Sequence, residues 1–164
     1  MLAFCKRMSL VAGAVAGLAF ASGAAQAQTT ITDNFDVLIT INAFCAITSP
    51  TDLDFGSNNL LNANVDQTST FNVQCTNTTP FSIALDNGAN FSGSRRMADG
   101  AGNFVNYALY QNVGRTTAWG SGGAAQAGTG NGTAVAYTVF GRVPTQTTPA
   151  PGNYLDTVTI SVTY

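Results

Sequence analysis

Apolar side chains recur at every second position in several short runs of this chain, the spacing of a β-strand that buries one face. The first run is Thr29 to Cys45, TTITDNFDVLITINAFC. Phe35, Val37, Ile39 and Ile41 share one side, with Ile31 ahead of them, while Asp36, Leu38, Thr40 and Asn42 share the other. The residues that follow pass through Pro50 and the turn-like Thr51-Asp52 instead of a tight hairpin, so the partner of this strand is expected far along the chain or in another chain. Phe71, Val73 and Cys75 alternate within Thr70 to Cys75. Phe81, Ile83 and Leu85 do so between Thr79-Pro80 and the Asp86-Asn87-Gly88 turn. Aromatic-rich Phe104 to Tyr110 follows the Asp99-Gly100 turn, and Ala134 to Phe140 adds another run. The cleanest alternation is Tyr154 to Tyr164, with Val158, Ile160, Val162 and Tyr164 on one side and Thr157, Thr159, Ser161 and Thr163 on the other. No amphipathic helix is expected beyond residue 27, so short strands at roughly ten-residue spacing predict an all-β sandwich. A long final strand with no hairpin after it is expected to leave one backbone edge unpaired, which complements the unpartnered strand at the other end.

Composition narrows the picture. The 164 residues are enough for one domain with a core, and 45% hydrophobic content argues against disorder. Residues 1–27 read as a signal peptide: Lys6 and Arg7 precede the apolar run Met8 to Phe20, and Ala25-Gln26-Ala27 is an A-x-A cleavage site. Beyond it four Arg face eight Asp, a net charge of −4, with no Lys, Glu or His. That mildly acidic surface speaks against nucleic acid as a partner. Cys5 leaves with the signal, so Cys45 and Cys75 remain as a pair in an oxidising compartment, where a disulfide is the expected state. Closing that loop removes roughly 3 to 4 kcal/mol of unfolded-state entropy in the chain-entropy model. Two Cys without His fall short of a zinc ligand set.

Candidate chemistry is sparse. The usual bases and nucleophile partners are missing, so no enzyme, cofactor, metal or small-molecule substrate is expected. Asp52 and Asp54 flank Leu53 and resemble an acid/base dyad only in spacing; the better reading is the polar side of a strand start beside a tight Phe55-Gly56 turn. Asp99-Gly100-Ala101-Gly102-Asn103 lacks the further carboxylates of a calcium loop and reads as a turn. Arg95-Arg96 is expected to pair with local Asp or lie in solvent. The Gly-rich stretch Gly114 to Gly132 reads as a long loop, functional or mobile, with Trp119 anchoring it to the sheet rather than offering a sugar platform.

The order of Cys45-Ala46-Ile47, Leu53-Asp54-Phe55-Gly56, Val73-Gln74-Cys75-Thr76, Arg96-Met97, Tyr107-Ala108-Leu109-Tyr110, Trp119-Gly120, Phe140-Gly141-Arg142-Val143-Pro144 and Pro151-Gly152-Asn153-Tyr154-Leu155-Asp156 resembles the spore coat protein U domain family, which includes the Csu-type pilins of archaic chaperone-usher fimbriae. Pro149 is an extra proline beside the family's Pro-x-Gly pattern. The resemblance implies an incomplete immunoglobulin-like β-sandwich lacking its last strand, held by a periplasmic chaperone and completed by donor-strand exchange with the next subunit. On that reading residues 28–41 are the donor segment, carrying Ile31, Phe35, Val37, Ile39 and Ile41. Residues 42–164 are the sandwich, with Val158, Ile160, Val162 and Tyr164 on the acceptor edge strand. Implied partners are identical or related pilin subunits in a head-to-tail fibre, the chaperone and an outer-membrane usher. Implied localisation is export through the periplasm to a surface fimbrium, serving adhesion and biofilm formation. The competing expectation is a self-contained secreted coat or carbohydrate-binding sandwich in which residues 28–41 fold back into their own domain.

Overall fold

The computed structural model describes residues 28–164; the signal-peptide reading of residues 1–27 lies outside the described residues. The chain divides into two compact units, Met1–Leu38 and Ile39–Tyr164. Residues 28–38 of the first unit enter no strand or helix and are exposed throughout. The second unit is all-β, with no α-helix among the described residues. Its strands are β1 (Cys45–Thr48), β2 (Val65–Cys75), β3 (Pro80–Leu85), β4 (Arg95–Ala98), β5 (Phe104–Tyr110), β6 (Gln126–Thr129), β7 (Ala134–Val143) and β8 (Ile160–Thr163). They form two antiparallel sheets, a five-stranded one in the order β1-β2-β7-β5-β4 and a three-stranded one in the order β6-β3-β8, the layers of an incomplete immunoglobulin-like sandwich.

Alternation builds the core between the layers. Phe71, Val73 and Cys75 of β2, Val105, Tyr107 and Leu109 of β5, and Val139 and Val143 of β7 point inward from the larger sheet. Phe81, Ile83 and Leu85 of β3 meet them from the smaller one. Trp119 joins the layers: it is 1% exposed, its ring centroid lies 5.8 Å from that of Phe71, and its indole N–H donates to the Ile83 carbonyl at 3.0 Å. Anchoring is therefore the role of this residue, as expected. Cys45 and Cys75 are disulfide-bonded and stand opposite each other in the β1–β2 register.

Four expectations change. The run from Thr29 is no strand up to Phe44, and pairing begins only at Cys45, in β1. The Gly114–Gly132 loop contains a 3-10 turn at Gly122–Ala124 and the edge strand β6. Its glycines permit close approach: a Cβ on Gly128 would sit 2.5 Å from the Phe81 ring. Arg95 and Arg96 lie in β4 and neither pairs with a carboxylate nor lies free. Arg95 donates to the carbonyls of Asp86, Leu85 and Trp119, while Arg96 donates to the Asn90 carbonyl and stacks 3.9 Å above the Phe104 ring. Finally, Tyr154 to Tyr164 is not one strand. Leu155 exchanges backbone hydrogen bonds with Ala98 of β4, whereas Asp86 donates to the Thr159 carbonyl at the end of β3, so the segment changes sheets before β8 begins.

Candidate functional site

The edge formed by β8 and the opening beside it are the features that the packing leaves unfinished. β8 pairs with β3 alone, through Ser82↔Thr163, Ile83↔Val162, Ala84↔Ser161 and Leu85↔Ile160. The Asp86 N–H donates to the Thr159 carbonyl at 3.0 Å, which sets the phase of the ladder. In an antiparallel pair successive residues point their backbone groups to opposite sides. Thr159, Ser161 and Thr163 therefore face β3, and the N–H and C=O groups of Ile160 and Val162 face the side on which no strand pairs among the described residues.

Side chains at these positions turn inward. Val158, Ile160 and Val162 are half-buried against the core, whereas Tyr164, past the end of β8, is 56% exposed. Val158 and Ile160 line a cleft of about 1070 Å³ that reaches core residues Leu85, Val105, Val139 and Val143. Leu53 and Phe55 border it from the stretch between β1 and β2. The cleft is open to solvent at one side and reaches the core at the other.

Among the described residues, four of the predicted donor residues are the most exposed large apolar groups together with Leu38, and Ile41 is 70% exposed. Ile31, Phe35, Val37 and Ile39 are each more than four-fifths exposed, and so is Leu38 on the opposite side of the alternation. Within the second unit, the Thr76 hydroxyl accepts from the Phe44 N–H at 3.1 Å and donates to the Asn42 carbonyl, and the Thr76 N–H donates to the Phe44 carbonyl at 2.9 Å. Hydrogen bonding of this stretch to β2 and the turn after it thus reaches back to Asn42.

A polar cluster holds the segment that feeds β8. Asp156 accepts the Tyr107 hydroxyl at 2.6 Å and the main-chain and side-chain N–H groups of Asn90 at 3.1 Å each. Asp86 accepts the N–H groups of Gly88 and Thr159, both at 2.9 Å. Burial opposes ionisation of Asp86, but those N–H donors and the nearby Arg95 outweigh it and hold its carboxyl below the ordinary value. Burial first, and then the Asp156 carboxylate, push the Tyr107 phenol far up, so it remains a donor. Sequence reading missed this cluster: the Asp86-Asn87-Gly88 turn and the motifs holding Tyr107 and Asp156 were in view, but nothing in the sequence brought them together.

The remaining candidates resolve into turns. Asp54 accepts the Gly56 N–H at 2.8 Å, with Gly56 at φ 70°, and Asp52 is exposed. Asp99 accepts the N–H groups of Ala101 and Asn103 and the Asn103 side-chain amide. No three potential metal-ligating side chains converge among the described residues.

A comparison with curated proteins gives no match. Among solved structures, the chain is similar to a chain in the crystal structure of the CsuC-CsuE chaperone-tip adhesion subunit pre-assembly complex from the archaic chaperone-usher Csu pili of Acinetobacter baumannii. Identity is 25% and the TM-score 0.55, over 76% of this chain and 41% of that one. This chain thus spans less than half the length of that structural relative. The Spore Coat Protein U domain model matches residues 31–161, nearly all of the sandwich together with most of the exposed segment before it. The chain belongs to the Spore Coat Protein U domain family.

Proposed function

We propose that this protein is a structural subunit of a chaperone-usher fimbria, exported through the periplasm, that polymerises head-to-tail by lending residues 28–41 to the cleft beside β8 of the next copy. The observation that carries this reading is a match of deficits: β8 offers backbone unpaired among the described residues beside a cleft that opens onto the core, and the segment from Ile31 to Ile41 offers exposed apolar side chains at strand spacing. Adding an extended segment to an exposed sheet edge is β-augmentation, in which main-chain hydrogen bonds supply affinity and alternate side chains fill pockets. Burying Phe35, Val37, Ile39 and Ile41 at roughly 1.5 to 3 kcal/mol each contributes about 6 to 12 kcal/mol before ordering costs. Donor and acceptor are different surfaces, so the contact repeats without closing and yields a fibre. A periplasmic chaperone supplies the strand until the usher hands the subunit to its neighbour, and the fibre serves adhesion and biofilm formation at the cell surface.

The test is Ile39→Asp beside Thr40→Asp. A carboxylate driven against the apolar core residues at the floor of the cleft costs several kcal/mol unless it is protonated, whereas position 40 falls on the opposite side of the alternation. Cells carrying only the Ile39→Asp subunit should show no surface fibres by electron microscopy, while the subunit still co-purifies with its chaperone; Thr40→Asp should assemble. Normal fibres from Ile39→Asp cells would overturn the proposal.

A further inference from the structure

The polar cluster ahead of β8 has a geometry that packing alone does not require. Two carboxylates reach across the same gap in opposite directions. Asp86, at the turn after β3, takes the Thr159 N–H of the incoming segment, and Asp156, on that segment, takes the Asn90 N–H of the turn. Main-chain bonds from Asp86 N–H to Thr159 C=O and from Ala89 N–H to Thr157 C=O run between them. The Asn90 side-chain amide also donates to the Leu155 carbonyl at 3.2 Å. Gly88 makes room: at φ 79° it has no side chain, and a Cβ there would lie 2.0 Å from the Asp156 carboxylate. The Tyr107 hydroxyl then ties Asp156 to β5, a strand of the five-stranded sheet that β8 does not join.

This cluster fixes two quantities at once. The crossed carboxylates set which residue of the segment stands opposite Asp86, and β8 starts one residue after Thr159, so they set the register of β8 on β3. Asp156 takes Tyr107 of β5 and Asn90 of the turn after β3, so it fixes where the segment leaves the five-stranded sheet, beside the cleft that both Tyr107 and Asp156 line. Four paired residues on one side are little to hold a strand in place when its other side is empty.

Resting on the donor-strand reading above, we infer that Asp156, Tyr107, Asn90 and Asp86 form a register clamp: positioning residues that present the β8 edge in one alignment, so that an incoming donor strand seats at a single offset. The clamp acts through β8 and need not touch the donor.

The experiment uses the subunit from residue 28 onward, purified with its chaperone and carrying Ser161→Cys, whose side chain is exposed on the outer side of β8. Synthetic peptides of residues 28–43 carry a single cysteine in place of Asp36, Leu38, Thr40 or Asn42, the outward series of the donor. Disulfide cross-linking then reports which donor position stands beside position 161. With the clamp intact, one peptide takes the majority of the cross-link. In Tyr107→Phe and Asp156→Ala subunits that peptide loses its majority to a neighbour two residues away, and peptide uptake slows. Asp156→Asn, which keeps the size and an acceptor oxygen, restores the single register. Asn90→Ser removes one donor at the outer end of the cluster and serves if Tyr107→Phe is not recovered with the chaperone. A general loss of stability lowers the melting temperature without spreading the cross-link, so that result overturns the clamp, as does an unchanged single register with unchanged uptake. Refusal of every peptide by the unmodified subunit overturns the donor-strand reading and the clamp with it.

Discussion

The β2–β7 pair and the β3–β8 pair are built from the same kind of sequence and end in opposite conditions. Both bury one face of each strand at every second position, yet β2 and β7 pair over ten residues, from Val65↔Val143 to Gln74↔Ala134, with a further strand on each outer side. β8 pairs over four residues and, among the described residues, has a neighbour on one side only. Phe71, Val73, Val139 and Val143 are nearly inaccessible, while Ile160 is half-buried over an open cleft. Alternation thus specifies that a segment belongs in a sheet without specifying that the sheet is complete within one chain.

The contrast can be broken most forcefully on its closed side. Trp119→Ala removes the ring that joins Phe71 to Ile83 and should cost about 3 to 5 kcal/mol, read as a shift of the chemical-denaturation midpoint of the chaperone-free subunit or, if none survives, as loss of recoverable protein. The open side should respond to the state of the cleft. Ile160→Ala should cost about 1 kcal/mol in the unfilled subunit, since its side chain is only half-buried over the cleft, and more once a 28–43 peptide is bound. Equal costs in both states would mean that the cleft does not gain packing partners there. Acid gives the smallest effect. Asp86 is held below the ordinary carboxylate value despite burial, and the Asp66 carboxyl is lowered by its hydrogen bonds to Arg142 at 2.7 and 2.8 Å, assisted by Arg115. A group with a depressed folded-state pKa contributes stability that is present above its unfolded value and lost as the pH falls through the folded one. Melting temperature should therefore stay level down to about pH 5 and decline below the ordinary carboxylate value of 3.8, and Asp66→Asn should remove part of that decline, worth roughly 0.2 to 1 kcal/mol for an exposed pair.

The sandwich, the disulfide and the anchoring Trp119 were legible because each leaves a local mark: period-two burial in β2, β3 and β5, a lone pair of cysteines, one aromatic in a glycine-rich stretch. What escaped reading depends on atoms distant in sequence. β4 looks charged because Arg95 and Arg96 are there to satisfy carbonyls of the turn after β3 and to stack on Phe104. β6 carries no large apolar residue because Gly128 lies against the Phe81 ring and Gly130 is as close to the Thr76 carbonyl. The final run was read as one strand because its alternation never breaks; only the competing partners at Ala98 and Asp86 show where it changes sheets. The apolar donor candidates were plain from the start, while the cluster around Asp156 was invisible, since Tyr107, Asn90 and Asp156 are scattered along the chain.

The Cys45–Cys75 bond also decides how such a subunit carries load. In a fibre joined as proposed, tension enters the sandwich just after residue 41, next to Cys45, the first residue of β1. β1 is only four residues long, and its hydrogen bonds to β2 would have to bear the pull on their own. The covalent bridge at the first pair of that register passes the force straight to the end of β2, the strand most deeply laddered into the sheet. Stretching the fibre therefore works against the ten-residue β2–β7 ladder and the core beneath it, and the short first strand is relieved of peeling.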